Sequence, residues 1–159
     1  MRILGIDPGY AIVGFGVVEY AGRAFRLINY GAILTEAHTP FTERLCNIDE
    51  DIHEIFRQYQ PECMAVEKLY FTSNQKTAID VAQARGILIL AAAKEKIPVF
   101  EYTPLQVKMA VVGYGKAEKK QVMEMTKNIL KLKQIPKPDD AADALAIAIC
   151  HGHTCQGRK

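Results

Sequence analysis

The sequence predicts an α/β fold with a five-stranded mixed sheet flanked by helices. Three observations carry this. Short β-branched and apolar runs recur, first one after another and later singly. Stretches with apolar residues spaced by three and four separate the later ones. And 159 residues, 49% hydrophobic and 24% charged, are enough to bury one core without disulfides or a structural metal.

Taken in order, Arg2 to Ile6 is an apolar run that reads as a buried strand, and Asp7-Pro8-Gly9 ends it in a turn. Ala11 to Tyr20 is β-branched and aromatic. Its Gly14 and Gly16 fall on one face, where a helix or a ligand backbone can approach closely. Ala21-Gly22-Arg23 turns the chain into a third strand, Phe25 to Thr35, which predicts an antiparallel meander. From Pro40 to Gln60 the period changes: Phe41, Leu45, Ile48, Ile52, Ile55 and Phe56 mark an amphipathic helix that Pro61 stops. Cys63 to Lys68 is a fourth strand carrying Glu67. The path to it is long enough for a crossover, so it should pair parallel with the first.

Thr77 to Lys96 reads as a long helix, apolar around most of its girth from Gly86 to Ala93. Burial on two sides is expected, the second against another copy of the chain. Ile97 to Tyr102 is a fifth strand, and Thr103-Pro104 opens a helix that Gly113-Tyr114-Gly115 breaks. Glu118 to Leu132 is a further helix, with Val122, Met125, Ile129, Leu130 and Leu132 mostly on one side. After Pro136 and Pro138, Asp139-Asp140 open a last helix through Ala148 or slightly beyond. There is no repeat or linker, so one domain over residues 1–159 is expected, with its last few residues disordered.

No signal-peptide pattern is present, and the longest apolar run, Gly86 to Ala93, is too short for a membrane span; a cytoplasmic protein is expected. The four cysteines, Cys46, Cys63, Cys150 and Cys155, form no CxxC pair, and reduced thiols are expected. The tail Cys150-His151-Gly152-His153-Thr154-Cys155 fits no standard zinc spacing and is expected to fray.

Net charge is only +2, but it is unevenly placed. Lys108, Lys116, Lys119, Lys120, Lys127, Lys131, Lys133 and Lys137 lie in one stretch opposed by Glu118 and Glu124. Glu43, Asp49, Glu50, Asp51 and Glu54 form an acidic counterpart. A basic lobe of this kind suits a polyanionic partner, or is simply a solvated helix face.

Asp7 and Glu67 are lone acids on otherwise apolar strands, a costly placement unless each is paired or binds a cation. Asp140 and Asp143 share one face at the start of a helix. Taken singly, Asp7 is a turn former, Glu67 a strand-end ion pair, Asp140 an N-cap and Asp143 a first-turn acid. Taken together they form a hard oxygen set suited to Mg²⁺ or Mn²⁺. Two such ions about 4 Å apart can flank a scissile phosphate, one activating water and the other stabilising the leaving oxygen.

Several segments carry a family resemblance: Ile3-Leu4-Gly5-Ile6-Asp7-Pro8-Gly9, Val66-Glu67-Lys68-Leu69-Tyr70-Phe71, Gln83-Ala84-Arg85-Gly86, Gln106-Val107-Lys108, Val111-Val112-Gly113-Tyr114-Gly115 and Asp140-Ala141-Ala142-Asp143-Ala144-Leu145-Ala146. In this order they resemble the bacterial RuvC Holliday-junction resolvases. The resemblance implies an RNase H-like fold, a homodimer, and Mg²⁺-dependent paired nicking of four-way junction DNA. It also implies the RuvA–RuvB branch-migration proteins as partners. Asp7, Glu67, Asp140 and Asp143 match the family's acidic quartet; Tyr70 and Phe71 match its aromatic pair near the junction centre; Lys108 and Lys119 match DNA-binding lysines. Lys116 and Lys120 belong to the same basic lobe. Sugar-kinase and actin-like ATPases share the opening strand, acid and glycine turn, but they need a second large lobe. A monomeric nuclease acting on RNA and a non-catalytic junction-binding module are the other readings.

Overall fold

The computed structural model describes residues 1–69 and 75–155. The chain runs β1 (Arg2–Asp7), β2 (Ile12–Ala21), β3 (Ala24–Leu34), α1 (Phe41–Tyr59), β4 (Cys63–Glu67), α2 (Gln75–Lys94), β5 (Val99–Tyr102), α3 (Pro104–Val112), α4 (Lys119–Ile129) and α5 (Asp139–Cys155). The strands form one five-stranded sheet in the order β3-β2-β1-β4-β5. β1–β2 and β2–β3 are antiparallel; β1–β4 and β4–β5 are parallel. The predicted meander, crossover and mixed sheet are all present.

Alternation along the strands sorts the side chains into two cores. Leu4, Ile6, Met64 and Val66 face α1 and α2, packing with Ile48, Ile52, Leu88 and Ala91. Ile3, Cys63, Ala65 and Tyr102 face the other way, toward Val107 of α3, Val122 of α4 and the inner side of α5. By the same period, Asp7 and Glu67 emerge on the α5 side at adjacent strand ends.

The close approach predicted at Gly14 and Gly16 is made by α5, which also comes up against Gly5. A Cβ built on Gly5 would lie 2.0 Å from the Ala144 carbonyl oxygen, and one on Gly14 would lie 2.1 Å from that of Asp140. Both obstacles are backbone, so a side chain there forces the helix off the sheet. Gly5→Ala should therefore cost about 2–3 kcal/mol. That lowers the melting temperature by roughly 5–10 °C, which calorimetry checks; an unchanged transition would mean that α5 is free to shift.

Three expectations need correction. The Cys150–Cys155 segment is not a fraying end: it completes α5, with Cys150, His151 and Gly152 buried. His151 Nδ1 shares a 2.7 Å hydrogen bond with Tyr102 Oη, and the Phe100 ring lies against the imidazole. His153 Nδ1 meets the Ala110 carbonyl at 2.9 Å. These contacts with β5 and α3 hold the last turns in place. In α4, Met125 points outward while Val122, Met123 and Thr126 are buried. The helix ends at Ile129, earlier than predicted, with Leu130 capping it. The expected disorder of the last residues falls on 156–159, outside the described residues. Among the described residues, no helix is long and apolar enough to cross a membrane.

Candidate active site

Three elements bring the acids together. Asp7 is the last residue of β1 and pairs with Gly14 of β2. The missing side chain at Gly14 admits the first turn of α5, which carries Asp140, against that end of the sheet. Glu67 ends the neighbouring parallel strand β4. Asp143, one turn into α5, lines a groove together with Glu67, Pro104, Val107, Lys108, Lys119, Val122, Ala146 and Ile147.

The electrostatics reflect this crowding. Burial, then the charges of Asp143, Glu67 and Asp140, push the Asp7 carboxyl up to about 8, against the pull of Lys119. Glu67 is raised by burial and by Asp143, with Lys119 opposing. Asp143 is raised by burial although its hydrogen bond to Lys119 works the other way. Lys119 Nζ stands 3.1 Å from Asp143 Oδ2. Burial lowers the Lys119 ammonium, but the Asp143 hydrogen bond and the charges of Asp143, Asp139 and Asp7 more than reverse this. One ammonium thus faces a cluster of carboxylates that it cannot neutralise. Among the described residues, no three or more His, Cys, Asp or Glu side chains are arranged to hold a metal ion as they stand. The donor set is nonetheless all oxygen, and the surplus negative charge is the kind that a hard divalent cation relieves.

The predicted basic lobe is divided. Lys108 and Lys119 face the groove. Lys116 and Lys120 are exposed. Lys127 and Lys137 pair with Glu124 and Asp139 at 2.8 and 3.2 Å. Tyr70 and Phe71 lie outside the described residues.

Arg85 was visible in the sequence only as part of a family segment. Its Nε donates to the Glu67 carbonyl oxygen at 3.1 Å, and its guanidinium forms an ion pair with Glu101. A lone arginine within an otherwise apolar helix stretch was the available signal.

A mixed β-sheet in this strand order, with acids at the ends of β1 and β4 and on the helix crossing them, defines an RNase H-like nuclease. The family model described as "Crossover junction endodeoxyribonuclease RuvC" matches residues 3–151. The Brevibacillus brevis crossover junction endodeoxyribonuclease RuvC is 59% identical over 151 residues, 95% of this chain and 91% of that protein. The solved structure of Thermus thermophilus RuvC superposes with a TM-score of 0.93 at 37% identity, covering 99% of this chain and 97% of that one. The same protein in complex with Holliday junction substrate gives 0.90 at 35%, covering 99% and 96%. The chain belongs to the RuvC family of crossover junction endodeoxyribonucleases.

Proposed function

We propose that this protein is a metal-dependent endodeoxyribonuclease that resolves four-way (Holliday) DNA junctions by paired, symmetric nicks in homologous recombination and repair. The observation that carries this is the gathering of Asp7, Glu67 and Asp143 around one lysine at a groove whose wall also holds Lys108. The metal is Mg²⁺, with Mn²⁺ as a substitute, two ions per site. Asp7, Glu67, Asp140 and Asp143 are the residues that would hold them. When bound, the ions supply Lewis acidity on both sides of the scissile phosphate. The chain does the rest. Its carboxylates fix the reacting centre, Lys108 and Lys119 hold backbone phosphate, and Lys116 and Lys120 extend the contact along the duplex with salt-dependent affinity.

The homodimer forms through α2. That helix buries Ala84, Leu88, Ala91 and Ala92 against the sheet, yet leaves Ile79 64% and Leu90 50% exposed. A two-fold dimer offers two sites to a roughly two-fold junction, which accounts for paired cuts. RuvA–RuvB are the partners by family, and the setting is cytoplasmic.

Side-by-side cleavage of a four-way junction and a linear duplex, with and without Mg²⁺, tests the proposal. Nicking should require both the junction and the metal; equal cutting of plain duplex overturns the junction assignment. The role of Tyr70 and Phe71 at the junction centre is tested separately. Tyr70→Ala and Phe71→Ala should each lose base stacking worth about 1–3 kcal/mol, read as slower cutting with the dimer intact by light scattering. Wild-type rates in both would return the pair to packing.

A further inference from the structure

We propose that Arg85 is a positioning residue for Glu67: it fastens the end of β4 to helix α2 and so sets the direction in which the Glu67 carboxylate enters the site. The inference rests on reading the acid cluster as the nuclease centre.

The geometry concerns a single peptide group. Glu67 is the last residue of β4, where the ladder with β5 runs out at the Glu67–Tyr102 pair. The peptide that follows joins Glu67 to Lys68. Its N–H donates to the Tyr102 carbonyl at 2.8 Å. Its oxygen, the Glu67 carbonyl, accepts from Arg85 Nε at 3.1 Å. A peptide group is planar and rigid, so holding both its oxygen and its hydrogen limits how the group can move. That restrains the Glu67 Cα, from which the side chain starts.

Arg85 is itself held. Its guanidinium makes an ion pair with Glu101 of β5, and the side chain is only 14% exposed. Alternation places Glu101 opposite Phe100 and Tyr102, on the sheet face that α2 covers. One rigid fork therefore ties α2, β4 and β5 together from behind, while the Glu67 carboxylate faces the groove in front. Arginine suits this task because its donors diverge in a fixed plane. A lysine ammonium at the end of a flexible stem reaches one acceptor well but does not hold two in register.

The test compares Arg85→Ala, Arg85→Lys, Glu101→Gln and the double variant Arg85→Ala/Glu101→Gln with wild type. Three measurements are made: single-turnover junction cleavage in Mg²⁺, junction affinity in EDTA, and the rise in melting temperature on adding Mg²⁺. Misplacing a reacting group by a fraction of its working geometry slows chemistry on the order of 10²-fold, and that is the loss expected for Arg85→Ala, with junction affinity unchanged. Arg85→Lys should recover part of the rate. Glu101→Gln should lose less, on the order of tenfold, and the double variant should be no slower than Arg85→Ala because Glu101 acts through Arg85. The Mg²⁺-induced rise in melting temperature should shrink in Arg85→Ala.

A folded Arg85→Ala protein that cuts at the wild-type rate overturns the proposal, as do losses that simply multiply in the double variant. Should Arg85→Ala fail to fold, Arg85→Lys and Glu101→Gln carry the same comparison. Should wild type fail to cut junctions at all, the nuclease reading falls; the Mg²⁺ melting shift then decides on Arg85 alone, and an unaltered shift in its variants overturns it.

Discussion

Asp7→Asn is expected to slow junction cleavage on the order of 10³-fold or more, the equivalent of about 4 kcal/mol of lost transition-state stabilisation, while the junction still binds. Two features of the site make these effects separable. Asp7 sits deep at the end of β1, among Glu67, Asp140 and Asp143, whose charges all bear on it. The lysines credited with holding phosphate, Lys108 and Lys119, line the groove in front. Asparagine keeps the shape but removes one carboxylate from the proposed reacting centre. In EDTA below pH 8 the Asp7 carboxyl already keeps its proton, so the change alters little charge and junction affinity should hold. Gel-shift and cleavage assays on one preparation check both halves. Loss of binding together with cleavage, in a folded protein, would make Asp7 a structural acid or a binding residue.

How much of this site the sequence disclosed depends on the residue. Asp7 and Glu67 stood out because each ends a strand that is otherwise apolar. Which face each acid occupies was not readable. Leu4 and Ile6 are as completely buried as Ile3, and Met64 and Val66 as Ala65. A strand buried on both sides shows no hydrophobic alternation to read. The glycines at 14 and 16 did signal close approach, and α5 makes it. The end of α5 misled for a compositional reason. Cys, His and Gly look like a loose tail, yet the Tyr102–His151 hydrogen bond and the Phe100 ring make them core. Arg85 showed only as a lone arginine in an apolar helix stretch, and its partners did not show. Its acceptors lie on β4 and β5, and a link to a carbonyl oxygen leaves no complementary residue type in the sequence to notice.

The charge crowding that equips the site also predicts how stability responds to pH and metal. In the folded, metal-free protein the Asp7 carboxyl titrates at about 8, against an ordinary value of 3.8. Between those values the folded state holds a proton that the unfolded state has released. Stability must then fall as pH rises through that window, and the full penalty is present above pH 8. Glu67 and Asp143, also raised, act in the same sense. Lys119, raised from 10.5, contributes stability that is lost only at higher pH, so it does not mask the trend. In EDTA the protein should therefore melt higher near pH 5.5 than near pH 8.5. Mg²⁺ should narrow this difference, because it competes with protons for the same oxygens and so adds most at pH 8.5. At about a hundred times its dissociation constant it adds about 2.7 kcal/mol, roughly 5–11 °C for a chain of this size. Scanning calorimetry at the two pH values, with and without Mg²⁺, gives all four numbers. Asp7→Asn should flatten the EDTA dependence and raise the melting temperature at pH 8.5 while removing most of the Mg²⁺ response. A variant less stable than wild type under those conditions would mean that the Asp7 carboxylate is not strained by its neighbours. A more stable variant, the expected result, would mean that the neighbours crowding the Asp7 carboxylate create the charge that a bound divalent cation would relieve.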